Sequence, residues 1–274
     1  MTAALVLTTD ELRVSTTVAG APVPAALRAD WSTEDMPVAD LVALRGLLAR
    51  GLASSGAGDV SLADDLSLAL GPFLTGRVLV DVQRDGAVRP GRRLIAKGAA
   101  GVVSCAEHGP DLWQVEPADP DPVERLVADL VDHLPDTEAS HPGVTLPTDL
   151  LAEAERRSAT GATEHTRGML VRRGLPPGTA EVVARVLGDL GTTVTVRSSH
   201  RNGSTTRCAA ITWLETGSTG VWLAVPDDDP LADVDPAVPP TGLAGHTKLR
   251  PVSTGTLRDE VRDVVEILGS EWTG

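Results

Sequence analysis

The sequence predicts an α+β protein made of two related halves, with strands near the centre and helices at both ends. Three observations predict it. The opening LVLTTDEL (Leu5–Leu12) recurs as VTLPTDLL (Val144–Leu151), so that Leu7, Thr9, Asp10 and Leu12 are matched by Leu146, Thr148, Asp149 and Leu151, each 139 residues later. The closing segments match at a second offset of 134, with Val115, Pro117, Val123, Val127, Val131 and Leu134 set against Leu249, Pro251, Leu257, Val261, Val265 and Leu268. Between these matches each half carries a hairpin dipeptide, Asp85-Gly86 and Asn202-Gly203, the strongest short-range signal for a tight β-turn. Such an order indicates tandem duplication of a unit of about 135 residues, an ordinary domain size. The expected repeats are 1–135 and 136–274, together forming one compact domain.

Each element follows from its local pattern. Leu5 and Leu7 lie on one face of a period-two stretch, with Val6 and Thr8 on the other, as in a strand. Thr9 or Asp10 then caps a short helix carrying Leu12 and Val14. Pro37 opens a helix in PVADLVALRGLLARGL, with Val38, Leu41, Val42, Leu48 and Leu52 on one face. SSGAGD is expected as a loop, and SLADDLSLALG as a helix with a Ser61–Asp64 capping pattern. Val78, Val80 and Val82 alternate as a strand before the hairpin segment QRDGAVRPGRR, and strands follow around Leu94–Lys97, Val102–Ala106 and LWQVEP. The half ends in DPVERLVADLVDHLP, whose apolar residues recur at helical spacing until Pro135 stops them.

In the second half the strand Val144–Pro147 leads into helical stretches to about Ser158 and over Thr163–Arg173. TAEVVARVLGDLG reads as a helix with Gly191 as its stop. Strands at Val194–Val196, Ala209–Leu214 and Val221–Val225 precede an acidic, Pro-rich insertion, Asp227–Gly245, that has no counterpart in the first half. A terminal helix carries Leu257, Val261, Val264, Val265 and Leu268.

Bulk composition narrows the function. With 274 residues, 42% hydrophobic and 23% charged, the chain is globular rather than disordered. A net charge of −14 argues against nucleic acid and against anionic membrane surfaces, both of which call for basic protein surface. The start has no Lys or Arg ahead of its apolar stretch, unlike a signal peptide, and no apolar run is long enough to span a bilayer. Two cysteines, Cys105 and Cys208, do not make a disulfide framework, so a cytoplasmic location is expected.

The search for chemistry finds no active site. Cys105 and His108 in SCAEH lack the second ligand pair of a zinc site. The acidic run DDDPLADVDP lacks the spacing and central Gly of a calcium loop. Ser198–His200 sits outside any nucleophile elbow, and no glycine-rich phosphate loop occurs. The expectation is no catalytic residue, no metal and no cofactor.

Two features fit protein recognition better. Arg84, Arg89, Arg92 and Arg93 cluster on the hairpin of an acidic chain, and Arg is enriched at interface anchors, although on sequence alone a soluble hairpin tip is the preferred explanation of the cluster. In VWLAV, strand alternation puts Trp222 opposite in direction to Val221 and Leu223, while Trp213 shares a face with Ile211 on the preceding strand. One of these indoles lies either under the protein's own helices or open to a partner.

LVLTTDEL followed by PVPAAL, the Val-rich strand with its hairpin, ITWLETGSTGVWLAVP and the ending LRPVSTGTLRDEVRDVVEIL together resemble the EspG family. These are cytosolic chaperones associated with ESX (type VII) secretion in actinobacteria, and the Ala-, Val-, Asp- and Arg-rich composition agrees with a GC-rich genome. The resemblance implies an α+β fold with two pseudo-twofold-related repeats and a central antiparallel β-sheet flanked by helical bundles. It implies a helical secretion substrate as partner, a PE/PPE-like heterodimer or related ESX substrate, whose apolar tip is shielded before export. An exposed apolar tip is an aggregation hazard, and a groove of sheet and helices can hold an amphipathic helix by its apolar anchors.

Contacts in the family come from the C-terminal half and the first-half hairpin. Here these correspond to Met169, Leu170, Val171 and Leu175, to Trp213 and Trp222, and to Arg84, Arg89 and Arg92. The absence of Tyr, the short hairpin and the insertion Asp227–Gly245 depart from the family pattern. The free protein is expected to be a monomer or weak dimer. An immunity protein neutralising a secreted toxin is the alternative, and it predicts a partner surface built on charges rather than Trp and Leu. An enzyme using Cys105 with His108 is a third reading.

Overall fold

The structure, a computed structural model, describes residues 4–28, 31–56, 59–76, 78–86, 90–109, 111–118, 122–136, 141, 143–158, 163–202, 205–226 and 245–266. The first repeat runs β1 (Leu5–Thr8), α1 (Thr9–Val18), a 3-10 turn (Ala25–Leu27), α2 (Met36–Ala49), β2 (Ala53–Gly56), β3 (Asp59–Leu62), α3 (Asp64–Thr75), β4 (Val78–Gly86), β5 (Gly91–Gly98), β6 (Gly101–Gly109), β7 (Leu112–Pro117) and α4 (Pro122–Val131). The second runs β8 (Val144–Pro147), α5 (Thr148–Ser158), α6 (Thr163–Arg172), α7 (Pro177–Gly188), β9 (Leu190–Asn202), β10 (Thr205–Thr216), β11 (Val221–Pro226), β12 (His246–Val252) and α8 (Thr254–Glu266).

Ten strands form one sheet in the hydrogen-bonded order β1-β7-β6-β5-β4-β9-β10-β11-β12-β8. Replacing each strand by its counterpart in the other repeat reproduces this order read from the far end, which is the pseudo-twofold, central-sheet architecture expected above. The short strands β1 and β8 are its edges. By contact the chain divides into two compact units: Met1–Val82, Gly91–Pro122 and Ser198–Arg207 in one, and Gln83–Pro90, Val123–Arg197 and Cys208–Gly274 in the other.

In the first unit the register sets Leu94 against Cys105 and Cys105 against Val115 across β5, β6 and β7. These residues share one face, which α1, α2 and α3 cover with Leu12, Ala43, Leu47, Leu66, Leu70 and Phe73. Four local expectations are corrected. The cap of α1 is Thr8, one residue early: its hydroxyl accepts the Glu11 N–H at 3.1 Å while the Glu11 carboxylate accepts the Thr8 N–H at 2.9 Å. A capping box of this kind needs the acidic residue three positions on, which only Thr8 has. SSGAGD contributes to a two-stranded hairpin, β2 with β3, rather than a plain loop. Ser61 therefore lies in β3, where its hydroxyl shares a hydrogen bond with Ser54, and α3 begins after Ala63 without a side-chain cap. Gly191 lies inside β9, because α7 already ends at Gly188 with Asp189 as its cap.

In the second unit β11 pairs with β10 and β12, and β12 with β8, all antiparallel. One face carries Val144, Leu146, Leu214, Trp222 and Leu249, packed with the buried residues of α5, α6 and α7. Trp213 and Leu223 are register partners on the opposite face and are enclosed as well. Helices α4 and α8 lie side by side, tied by Arg262 to Glu124 at 3.0 and 3.2 Å and by Arg258 to Asp132.

Candidate functional site

The residues singled out by the sequence fall into three environments. Met169 and Leu170 on α6, Leu175 at the start of the turn into α7, and Trp222 on β11 are brought together in one buried cluster. Trp222 is 0% exposed. Its indole N–H donates to the Thr219 carbonyl at 3.1 Å, and its ring stacks on His141 with centroids 6.3 Å apart. Only Val171 of this group reaches the surface, at 39% exposure, because it lies one position past Leu170 on a helix whose Thr166–Leu170 side faces inward.

Trp213 is also 0% exposed, on the other sheet face, with its N–H donating to the Glu215 carboxylate at 3.0 Å. A buried indole needs such an acceptor. Both faces of the sheet in this unit are thus covered, and neither Trp presents contact area to solvent. The physical reason is that α5, α6 and α7 cover the Trp222 face while the Trp213 face is enclosed too, so strand alternation leaves no open side.

The basic hairpin is divided. Arg84 donates to the Asp129 carbonyl of α4 at 3.2 Å. Arg92 forms a bidentate pair with Asp81 at 2.8 and 2.6 Å, the planar fork-on-carboxylate geometry that Arg favours. Arg89 lies outside the described residues, as does the insertion Asp227–Gly245 up to its last residue.

Cys105 is enclosed in the core of the first unit, and burial pushes its thiol far above the usual range. A thiol held neutral is a poor nucleophile. Among the described residues no group of three or more His, Cys, Asp or Glu side chains is placed to hold a metal ion. No described helix is long and apolar enough to cross a membrane.

One surface escaped the sequence reading. The face of α2 formed by Val38, Leu41 and Val42 points outward, with exposures of 63%, 47% and 62%, while Ala43 and Leu47 face the core. The expectation that Val38, Leu41 and Val42 mark the buried side is corrected: α2 is apolar on both sides, so periodicity alone does not say which side is covered. Beside Leu41 runs an apolar groove of about 280 Å³ between α1 and α2, lined by Val14, Thr17, Val18, Asp40, Leu41 and Leu44. Its polar wall is held by Arg13, which pairs with both Asp10 and Asp40. Burial works against the Arg13 charge, but hydrogen bonds to the two carboxylates outweigh it and raise the guanidinium above its usual value. Nearby, the half-exposed Trp31 donates its N–H to Asp10 at 3.2 Å.

The sequence matches the EspG family over residues 8–242. The chain belongs to the EspG family. Its fold is similar to the Mycobacterium tuberculosis type VII secretion system chaperone EspG5, solved in complex with a PE25–PPE41 dimer, at 13% identity and a TM-score of 0.57, covering 96% of each chain. No curated protein sequence matches it. Within this EspG-family chain, the residues matched to the family model extend from the capping box at Thr8 into the insertion after β11.

Proposed function

We propose that this chain is a cytoplasmic, non-enzymatic chaperone that binds a helical type VII secretion substrate of PE/PPE type and shields its apolar tip before export. The observation that carries the proposal is membership of the EspG family over most of the chain. The likeness of fold to EspG5, a chaperone solved with a PE25–PPE41 dimer, supports it. The enclosed thiol of Cys105 also supports a non-enzymatic role. The repeats 1–135 and 136–274 are proposed as products of tandem duplication. The twin arrangement of β1 with α1 and β8 with α5 supports that reading.

For the client surface we retain the residues inferred from the family, with distinct roles. Val171, Arg84 and Arg89 are proposed to touch the client. Met169, Leu170, Leu175, Trp213 and Trp222 are buried and would act by holding that surface in shape, and Arg92 by fixing the hairpin strands through Asp81. The test is to tag the protein in its own host, purify it gently and identify what accompanies it by mass spectrometry. A helical secretion substrate near one-to-one is expected, and Val171→Asp should weaken its capture about tenfold while leaving the melting temperature unchanged. Recovery of a secreted toxin domain instead would overturn the proposal.

A further inference from the structure

The outer face of α2 has an order of side chains that complements itself. Starting in the turn ahead of the helix, whose helical spacing is kept by the Met36 N–H donating to the Ser32 carbonyl at 3.0 Å, the exposed residues are Glu34 and Asp35, then on α2 itself Val38, Leu41 and Val42, then Arg45. Their spacing of three or four places them in one stripe along the helix. Single exposed aliphatics are ordinary, but three adjacent ones on one helical face form a contiguous apolar stripe of the kind that partners cover. Asp35 is engaged by the Ser32 hydroxyl at 2.6 Å, whereas Glu34 and Arg45 have no ion-pair partner among the described residues.

We infer that α2 is a self-association surface, packing antiparallel on α2 of a second copy of this chain, with Val38, Leu41 and Val42 at the centre and Glu34 of each copy facing Arg45 of the other. A twofold interface must be its own complement, and the spacing satisfies this. Glu34 and Arg45 are about 16 Å apart along the axis at 1.5 Å per residue. Their midpoint falls between Ala39 and Asp40, and the three aliphatics lie within about 4 Å of it along the axis. A twofold axis there superposes acid on base at both ends and apolar on apolar between. The inner side of α2 is already occupied by Ala43 and Leu47 in the core, so the outer stripe is available without unfolding.

The area of one helical stripe is below the roughly 800 Å² per partner of stable interfaces, and a net charge of −14 per copy opposes association. Self-association is therefore weak and concentration-dependent, and best seen at about 0.15 M salt, where long-range repulsion is screened within about 8 Å.

Sedimentation velocity on the full chain tests it, with loading concentration raised towards about 1 mM, where even weak pairs populate. The wild type should shift reversibly from monomer to dimer. Leu41→Asp should weaken the dimer by about tenfold or more, with unchanged circular dichroism. Glu34→Arg and Arg45→Glu should each weaken it roughly fivefold, and the double variant should recover to within about twofold of wild type. A wild type that stays monomeric throughout, or a Leu41→Asp variant that associates as well as wild type, overturns the inference. A double charge reversal no better than the single ones overturns the antiparallel pairing. Client capture is measured on Leu41→Asp in parallel. Capture at wild-type level, with dimerisation lost, is the expected result and separates this surface from the client site. Loss of capture would instead make α2 a client surface and overturn the assignment.

Discussion

The two strand-to-helix starts, β1 with α1 and β8 with α5, reach one geometry by different chemistry. Leu7 and Leu146, and Leu12 and Leu151, are buried in both. In both, the first helical residue is a Thr whose backbone N–H donates at 3.0 Å to the residue preceding the neighbouring strand, Thr9 to the Asp111 carbonyl and Thr148 to that of Gly245. Both Thr hydroxyls reach across to that strand, Thr9 accepting from the Trp113 indole at 3.0 Å and Thr148 sharing a hydrogen bond of 2.8 Å with Thr247.

The two starts diverge in between. Thr8 and Glu11 form a capping box, and the nearly buried Glu11 is paired with Arg50 at 2.8 Å. The corresponding positions hold Pro147 and Leu150, with Leu150 packed in the core. The comparison teaches that the shared leucines and the shared Thr define the start, while the capping position tolerates either a satisfied charge or plain apolar burial.

The strongest way to break the comparison is to exchange the two solutions. Leu150→Glu puts a carboxylate into the cluster around Leu151 and Trp222 without the Thr8 cap, and should destabilise the chain by about 3–5 kcal/mol, the usual penalty for an uncompensated buried charge. Urea unfolding would measure it, and a loss under about 1 kcal/mol would mean that the second start can accept a charge after all. A milder probe is Glu11→Ala, which removes half of the capping box and should cost about 1–2 kcal/mol. Arg50 is half exposed and can return to water. Glu11→Leu should cost less than Glu11→Ala, because it copies the second repeat and restores volume beside Gly46, where the Glu11 carboxylate now sits.

The smallest expected effect sharpens the comparison at the other end of the repeats. In the first repeat the β5–β6 turn closes on the end of α3 by direct approach at Gly98, where an added Cβ would lie 2.3 Å from the Thr75 hydroxyl. The second repeat uses a carboxylate: Asp189 at the end of α7 accepts from the Ser218 backbone N–H and from its hydroxyl, at 2.7 Å for the latter. These hydrogen bonds hold the Asp189 carboxyl below its ordinary value. A carboxyl depressed on folding adds stability above the unfolded carboxylate range and loses it as pH falls through the lower folded value. Asp189→Asn should therefore cost under about 1 kcal/mol at neutral pH, with a flatter acid limb in thermal melts. An unchanged acid limb would show that the turn is held by other contacts.

Much of the fold was legible because apolar spacing is a direct record of burial. The stripe of α4 from Val123 to Val131 and the alternation of Val78, Val80 and Val82 in β4 reappear as expected, whereas α4 ends at Val131 rather than at Pro135 and Val225 at the end of β11 is exposed. The hairpin β2–β3 was not legible, since Ser and Gly are poor strand formers and the pairing is imposed by Ala53 and Leu62 docking at its base. Burial of Trp213 and Trp222 on opposite faces was half legible. Alternation separates the two faces but does not say that both are covered. The outward stripe of α2 was read as inward for the same reason, because a helix apolar on both sides has no preferred face in sequence.

The edges of the sheet have a consequence of their own. Both outermost strands are only four residues long and turn at once into helices, and Pro147, the last residue of β8, has no N–H to offer. A long bare edge is a template on which a further chain can add and polymerise. With its margins cut this short, the sheet offers little free backbone on which another chain could polymerise.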